Sequence, residues 1–236
     1  MKRIALMVLK LLYYIPYLFF KLHQLSNIEK YDEETRYAFV RKVAIKANRK
    51  GRVTIASFGE SNLPKENGYI MFPNHQGLFD ALSFLESHKR PFSVVMKKEV
   101  KNTILLKQII QVLQAQIIDR EDVRQSMKVI MNMTKEVKMG RNYIIFAEGT
   151  RSKKQNEILE FKGGSFKSAM NAKCPIVPVA LIDSFKAFDT NSIEKVTVQI
   201  HYLKPLYYEE YAGLKSTEIA RIVEDRIKLT IAKYTK

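Results

Sequence analysis

The chain has 236 residues, enough for one sizeable domain and a short appendage. With 46% hydrophobic and 27% charged residues its composition is globular, which excludes a disordered chain. Forty Lys and Arg against 24 Asp and Glu give a net charge of +16, a bias that asks for an anionic partner: nucleic acid, a negatively charged bilayer or a phosphorylated substrate.

Residues 4–20 are apolar except for Lys10, with Pro16 inside the run. A signal peptide needs a small-residue cleavage site, and His23, Gln24 and Leu25 do not supply one. A spanning helix needs about 20 apolar residues. This run has 17 positions, about 26 Å at helical rise, with a lysine near its middle. The reading favoured here is a helix that enters one leaflet or lies in the interface. Tyr13, Tyr14 and Tyr17 then sit at headgroup depth while Lys10 and Lys21 snorkel. A second helix is expected from Tyr31 to Gly51, with acids in its first turn and Arg36, Arg41, Lys42, Lys46, Arg49 and Lys50 available for anionic headgroups. Gly51 is expected to end it.

From residue 52 on, short apolar runs alternate with helical patterns. Strands are predicted at 52–58, 69–72, 92–96, 116–118, 143–146, 176–181 and 195–203. Helices are predicted at 78–87, 103–113, 123–139, 165–172 and 217–233. This alternation predicts an α/β fold with a central, largely parallel sheet flanked by helices. Residues 1–50 form an N-terminal two-helix membrane-binding element, and residues 51–236 the α/β domain.

Two strand ends, one helix start and one strand carry chemistry. Phe72-Pro73-Asn74-His75-Gln76-Gly77-Leu78-Phe79-Asp80 puts His75 at the end of a strand, where such sheets place their crevices. Asp80, in the first turn of the next helix, reaches back to one imidazole nitrogen and leaves the other to take a proton. No serine or cysteine nucleophile accompanies the pair, so it suits activation of a substrate's own hydroxyl. The bland alternative is a structural histidine beside a capping aspartate. Further on, Phe146-Ala147-Glu148-Gly149-Thr150-Arg151-Ser152 again follows a strand. Gly149 admits close backbone approach, and Arg151 offers a planar fork for a phosphate monoester. Glu148 either holds Arg151 or ties the loop to backbone. Gly163-Gly164 before a helix exposes amides that favour anions, or simply connects. In Cys174-Pro175-Ile176-Val177-Pro178-Val179, two prolines argue against an ordinary central strand, and the apolar surface suits an acyl chain or a core. Cys174 is the one cysteine, so no intrachain disulfide forms; it reads as a small core residue, and the chain suits a reducing compartment. The basic residues are scattered and no nucleic-acid-binding motif is present, so no nucleic acid is expected.

These segments resemble, in order and spacing, the motif blocks of the glycerophospholipid acyltransferases. Asn74-His75 through Asp80 resembles their His-four-residues-Asp block. Ile118-Asp119-Arg120 resembles a second block that carries an arginine, Phe146 through Ser152 the Glu-Gly-Thr-Arg-Ser block, and Pro175 through Val179 the proline-bearing fourth. The likeness runs across residues 50–205 and is strongest to bacterial enzymes acting on 1-acyl-sn-glycerol 3-phosphate. It implies His75 as general base, Asp80 as the group orienting it, and Arg151, Arg120 and Lys98 around the acceptor phosphate. Glu148, Gly149 and Thr150 would form the site loop, and Pro175, Val177 and Pro178 acyl-chain or structural contacts. The implied partners are lysophosphatidic acid, acyl-CoA or acyl carrier protein as co-substrate, and an anionic membrane surface. No metal or resident cofactor is implied. The implied location is the cytoplasmic face of the cell membrane, monotopic or peripheral through the N-terminal helices. Another lysophospholipid or glycerol 3-phosphate is the alternative acceptor, and a non-catalytic binder of anionic membranes the alternative class. Gln76-Gly77 departs from the Ser or Arg common after the histidine; little effect on catalysis is expected from it, with room to tune the acceptor.

Overall fold

The computed structural model describes residues 2–98, 104–119 and 121–235. The first helical stretch has two parts, α1 (Lys2–Leu11) and α2 (Ile15–Leu25), joined by a tight turn over 12–14. Pro16 falls in the first turn of α2, where its missing N–H costs nothing, so the break lies just before it. Residues 2–25 are long and apolar enough to cross a bilayer by length and composition. They nonetheless lie along the protein. Met7, Leu18, Leu22 and Leu25 are buried, while Leu9, Leu12, Tyr13 and Phe20 are bare. Each buried side chain contributes about 1.5–3 kcal/mol, which keeps both helices docked.

Arg3 fixes the other end. Its guanidinium is buried and donates to the carbonyls of Ala187, Gly51 and Glu194 at 2.6–2.8 Å. Helix α3 (Glu33–Lys50) begins at Asp32, whose carboxylate accepts from Thr35 N–H. Two of its six predicted headgroup ligands turn inward instead. Arg36 is buried against the Val112 carbonyl and Gln114, and Arg41 donates to Glu86 O. Lys42, Lys46, Arg49 and Lys50 stay outside and line a groove of about 510 Å³ with Ile45. Gly51 ends α3 at φ −81°, not in the left-handed conformation common at helix ends. A Cβ there would lie 1.9 Å from Met7 Cε, so any side chain at this position would displace the end of Met7.

The remaining elements are β1 (Val53–Phe58), β2 (Ile70–Pro73), α4 (Asp80–Ser87), β3 (Ser93–Lys97), α5 (Ile104–Val112), β4 (Gln116–Ile118), α6 (Val123–Lys138), β5 (Tyr143–Ile144), α7 (Lys167–Ala172), β6 (Ile176–Ile182), α8 (Phe185–Phe188), β7 (Val196–Tyr202), α9 (Tyr208–Tyr211) and α10 (Ser216–Tyr234). The strands form one sheet in the order β1-β7-β6-β2-β5-β3-β4. Strands β6, β2, β5, β3 and β4 run in one direction; β7 is antiparallel to β6, and β1 is parallel to β7. Alternate residues of β2 and β6 enter two cores. Met71, Val177 and Val179 pack with α1–α4 on one face. Ile70, Phe72, Ile176 and Ala180 pack with α6, α7 and α10 on the other.

Strand β6 lies inside the sheet despite Pro178. Its pairing with β7 starts only at Val179↔Tyr202, and the next contact is the Ile176↔Leu206 bridge. Pro178 falls in that interval. Its carbonyl accepts from Leu203 N–H, and no regular rung asks for the N–H it lacks.

Candidate active site

All five co-directional strands end at one side of the sheet, and the loops leaving them make the site. The loop after β2 carries His75, and α4 opens with Asp80. His75 Nδ1 lies 2.7 Å from Asp80 Oδ2. With Nδ1–H donated to a carboxylate, the free lone pair belongs to Nε2. The His75 side chain keeps 23% exposure, while Asp80 has 1%. The base can meet a substrate; its partner cannot. Phe146, two residues past β5, backs the imidazole with ring centroids 4.1 Å apart.

Asp80 is saturated with donors. Oδ2 accepts from His75 and from Gln76 N–H at 2.7 Å. Gly77 N–H is shared between both oxygens at 3.1 Å, and Ser184 Oγ donates to Oδ1 at 2.6 Å. A carboxylate so held has one orientation available.

The Glu148 loop is stitched to the histidine loop through backbone. Glu148 Oε1 accepts from His75 N–H at 2.6 Å, Oε2 accepts from Leu159 N–H at 2.9 Å, and Ser152 N–H donates to His75 O at 2.9 Å. Of the two roles read for Glu148, these bonds place it on backbone. Burial, reinforced by Asp80 and Glu224, pushes its carboxyl up to about 7 against the pull of the two N–H bonds. Gly149 turns the loop at φ +76°, a conformation costly for any side chain. Thr150 is exposed.

The stitched loop brings Arg151 beside the His75 crevice. Its side chain is 35% exposed, with Asp189 Oδ1 3.9 Å away. Asp189 in turn lies over Gly77, where a Cβ would come within 2.1 Å of Oδ2. Lys98 follows β3, two strands from β2, which is about 10 Å across the sheet. It bonds Asp119 at 2.8 Å at the end of β4. Arg120 lies outside the described residues. His75, Asp80, Arg151 and the 148–150 loop thus come together, and Lys98 shares their side of the sheet.

Other expected positions serve the body of the fold. Val177 and Pro178 are buried in the sheet, and Pro175 O accepts from Ile70 N–H. A Cβ at Gly163 would lie 3.0–3.1 Å from Ser216 and Thr217, so the glycine permits close packing at the start of α10. Cys174 is buried, which pushes its thiol up to about 12. Gln76 faces inward with 2% exposure and so does not meet an acceptor. Reading the sequence missed Phe146 as a ring behind His75, together with Ser184, Asn156 and Asp183. The available signal was a polar Asp183-Ser184 pair closing an apolar strand on the crevice side.

The family model described as acyltransferase matches residues 54–182, more than half of the chain and nearly all of the site. The chain belongs to the acyltransferase family. Among curated relatives, the acyltransferase is 30% identical over 144 residues to a probable 1-acyl-sn-glycerol-3-phosphate acyltransferase of Mycoplasma genitalium, covering 59% of this chain and 53% of that one. The match therefore spans about half the length of that relative. The Mycoplasma pneumoniae protein of the same description is 27% identical, over 87% of this chain and 82% of its own. The crystal structure of the 1-acyl-sn-glycerophosphate (LPA) acyltransferase PlsC from Thermotoga maritima shares the fold, with a TM-score of 0.78 at 19% identity, over 99% of this chain and 96% of that one.

Proposed function

We propose that this acyltransferase moves a fatty acyl group from a thioester to the sn-2 hydroxyl of 1-acyl-sn-glycerol 3-phosphate, giving phosphatidic acid. The observation that carries the reading is the 2.7 Å His75–Asp80 contact with Nε2 left open, beside a loop that presents Arg151. His75 Nε2 takes the hydroxyl proton as the oxygen attacks the thioester carbonyl. The tetrahedral intermediate then expels the thiolate, which recovers that proton from the imidazolium. Asp80 fixes the tautomer and stabilises the imidazolium. Arg151, with Lys98 and Arg120, holds the acceptor phosphate and so places the hydroxyl at the base. The names of the Mycoplasma and Thermotoga proteins support this acceptor. The donor is acyl-CoA or acyl carrier protein, both anionic and both suited to a chain of +16.

The protein works on the cytoplasmic face as a monotopic enzyme. The bare side of α1 and α2, with Leu9 and Leu12, enters one leaflet, and the Lys42–Lys50 groove of α3 takes headgroups. Purified protein offered a panel of lysolipids and glycerol 3-phosphate, with both donor types, tests the reading by mass spectrometry of the products. Phosphatidic acid from 1-acyl-sn-glycerol 3-phosphate is expected, and His75→Ala should abolish it while vesicle binding persists. Product from a different acceptor alone, or turnover kept by His75→Ala, overturns the reading.

A further inference from the structure

Asp80 receives its Oδ1 bond from outside its own segment. The donor, Ser184, lies 104 positions along the chain and is fully buried. It follows β6, the strand next to β2. Asp183 just before it takes a left-handed φ of 64°, unusual for a residue with a side chain, and that turn aims Ser184 back across the crevice floor. The amide of Ser184 donates to Gln76 Oε1 at 2.8 Å, and the amide of Gln76 donates to Asp80 Oδ2 at 2.7 Å. Asp80, Ser184 and Gln76 therefore close a ring.

Asn156 and Asp183 fasten the ring from behind. Gln76 Nε2 donates to Asn156 Oδ1 at 2.7 Å, Asp183 N–H donates to the same oxygen at 2.9 Å, and Asn156 Nδ2 returns a bond to Asp183 Oδ1 at 2.9 Å. Lys186 holds the remaining Asp183 oxygen at 2.8 Å. Loops leaving β2, β5 and β6 are thus tied together by polar groups, beside the Phe146 ring against His75. Buried networks of this kind hold one arrangement when every member is satisfied. Here that arrangement sets the direction in which the Asp80 carboxylate faces His75.

We infer that Ser184 and Gln76 are positioning residues for the His75–Asp80 pair, acting on turnover through Asp80 and touching neither substrate. The inference rests on the reading of His75 as the general base. Ser184→Ala removes one charge-assisted bond and should lower kcat about tenfold, with the Michaelis constants of both substrates unchanged. Without the hydroxyl, the carboxylate is no longer held toward the imidazole N–H and stabilises the imidazolium less, so the acid limb of the kcat–pH profile should move to lower pH. A loss of folded protein alone would lower the apparent kcat without moving that limb. In an Asp80→Asn background, where no carboxylate is left to aim at the imidazolium, Ser184→Ala should cost kcat much less than tenfold, and Ser184→Thr should restore part of the turnover in an otherwise native chain.

An unchanged kcat and acid limb for Ser184→Ala, or a full independent loss in the Asp80→Asn background, overturns the inference. Should Ser184→Ala fail to fold, Gln76→Glu applies the same test. It keeps the acceptor for Ser184 but turns an acceptor toward Asn156 Oδ1, so kcat should fall with the Michaelis constants held; an unchanged kcat overturns the inference. His75→Ala separates the two failures. If it abolishes turnover while Ser184→Ala does not alter it, the base survives and only the positioning role is lost.

Discussion

Replacing Asp80 by asparagine isolates the charge on which the proposed chemistry depends. The amide has the shape of the carboxylate. With its oxygen in the Oδ2 place it still accepts from His75 Nδ1–H, Gln76 N–H and Gly77 N–H. Its nitrogen then faces Ser184 Oγ, which can accept as readily as it donates. Packing and most of the hydrogen bonding survive; the Gly77 N–H keeps only its Oδ2 partner, and the main loss is the attraction between carboxylate and imidazolium. Two unit charges about 4 Å apart attract by about 4 kcal/mol at an effective dielectric constant near 20, and by only about 1 kcal/mol in bulk water. Asp80 is buried and substrate covers His75 during the reaction, so the first figure applies. A loss of about 4 kcal/mol corresponds to a fall in kcat of about 10³-fold. The imidazolium exists only once the hydroxyl has lost its proton, so the Michaelis constants of both substrates should hold. Steady-state rates with a labelled acyl thioester, checked against the melting temperature of each protein, measure this. A fall below about tenfold in a folded variant would mean that water screens the pair, and a change confined to the Michaelis constants would mean that the pair binds rather than activates.

Arg151→Ala should raise the acceptor Michaelis constant about 10- to 100-fold, the loss of a hydrogen bond to a charged group, and an unchanged constant would remove Arg151 from the phosphate site. Glu148 has its folded pKa raised to about 7 from an ordinary 4.5, so its contribution to stability is present below about pH 4.5 and is lost as the pH rises through 7. Relative to wild type, Glu148→Gln should therefore gain up to about 3 kcal/mol between pH 4.5 and 8, measured by urea unfolding at each pH; a pH-independent difference would contradict the shift. Leu9→Glu with Leu12→Glu, at positions 72% and 60% exposed, should weaken binding to anionic vesicles more than tenfold without lowering the melting temperature. Unchanged sedimentation with vesicles would exclude that face from the membrane.

What the sequence made legible is what lies close along the chain. His75 and Asp80 are five residues apart across one strand–helix junction, so their contact follows from local geometry. Arg151 could be placed because the end of one strand in such a sheet lies beside the end of another. The sheet's largely parallel order followed from alternating patterns in the same way. What stayed hidden depends on which strands become neighbours. Ser184 reaches Asp80 only because β6 lies against β2, and Asp189 overlies Gly77 only because α8 returns from the end of β6. Pro178 argued against an inner strand on chemistry that is sound at a regular rung. It is tolerated because the β6–β7 ladder is interrupted at that residue. The inward turn of Gln76 was equally invisible, since its partners Asn156 and Ser184 come from distant loops.

The N-terminal helices raise a related question of length against placement. Residues 2–25 have the length and hydropathy of a membrane span, yet those numbers describe a segment apart from its surroundings. Arg3 is bonded to three carbonyls of the folded body, and Leu18, Leu22 and Leu25 are buried near the other end. A spanning arrangement would have to release these contacts and leave the three carbonyls without their donor. It would give up three bonds from a charged donor and strip from the core the apolar cover that Met7, Leu18, Leu22 and Leu25 provide. Insertion of the bare side chains alone costs none of this, because Leu9, Leu12, Tyr13 and Phe20 are already exposed. The same contacts make surface substitutions a cleaner probe than deletion of the segment, since removing residues 2–25 would strip Met7, Leu18, Leu22 and Leu25 from the core and report on folding as much as on lipid.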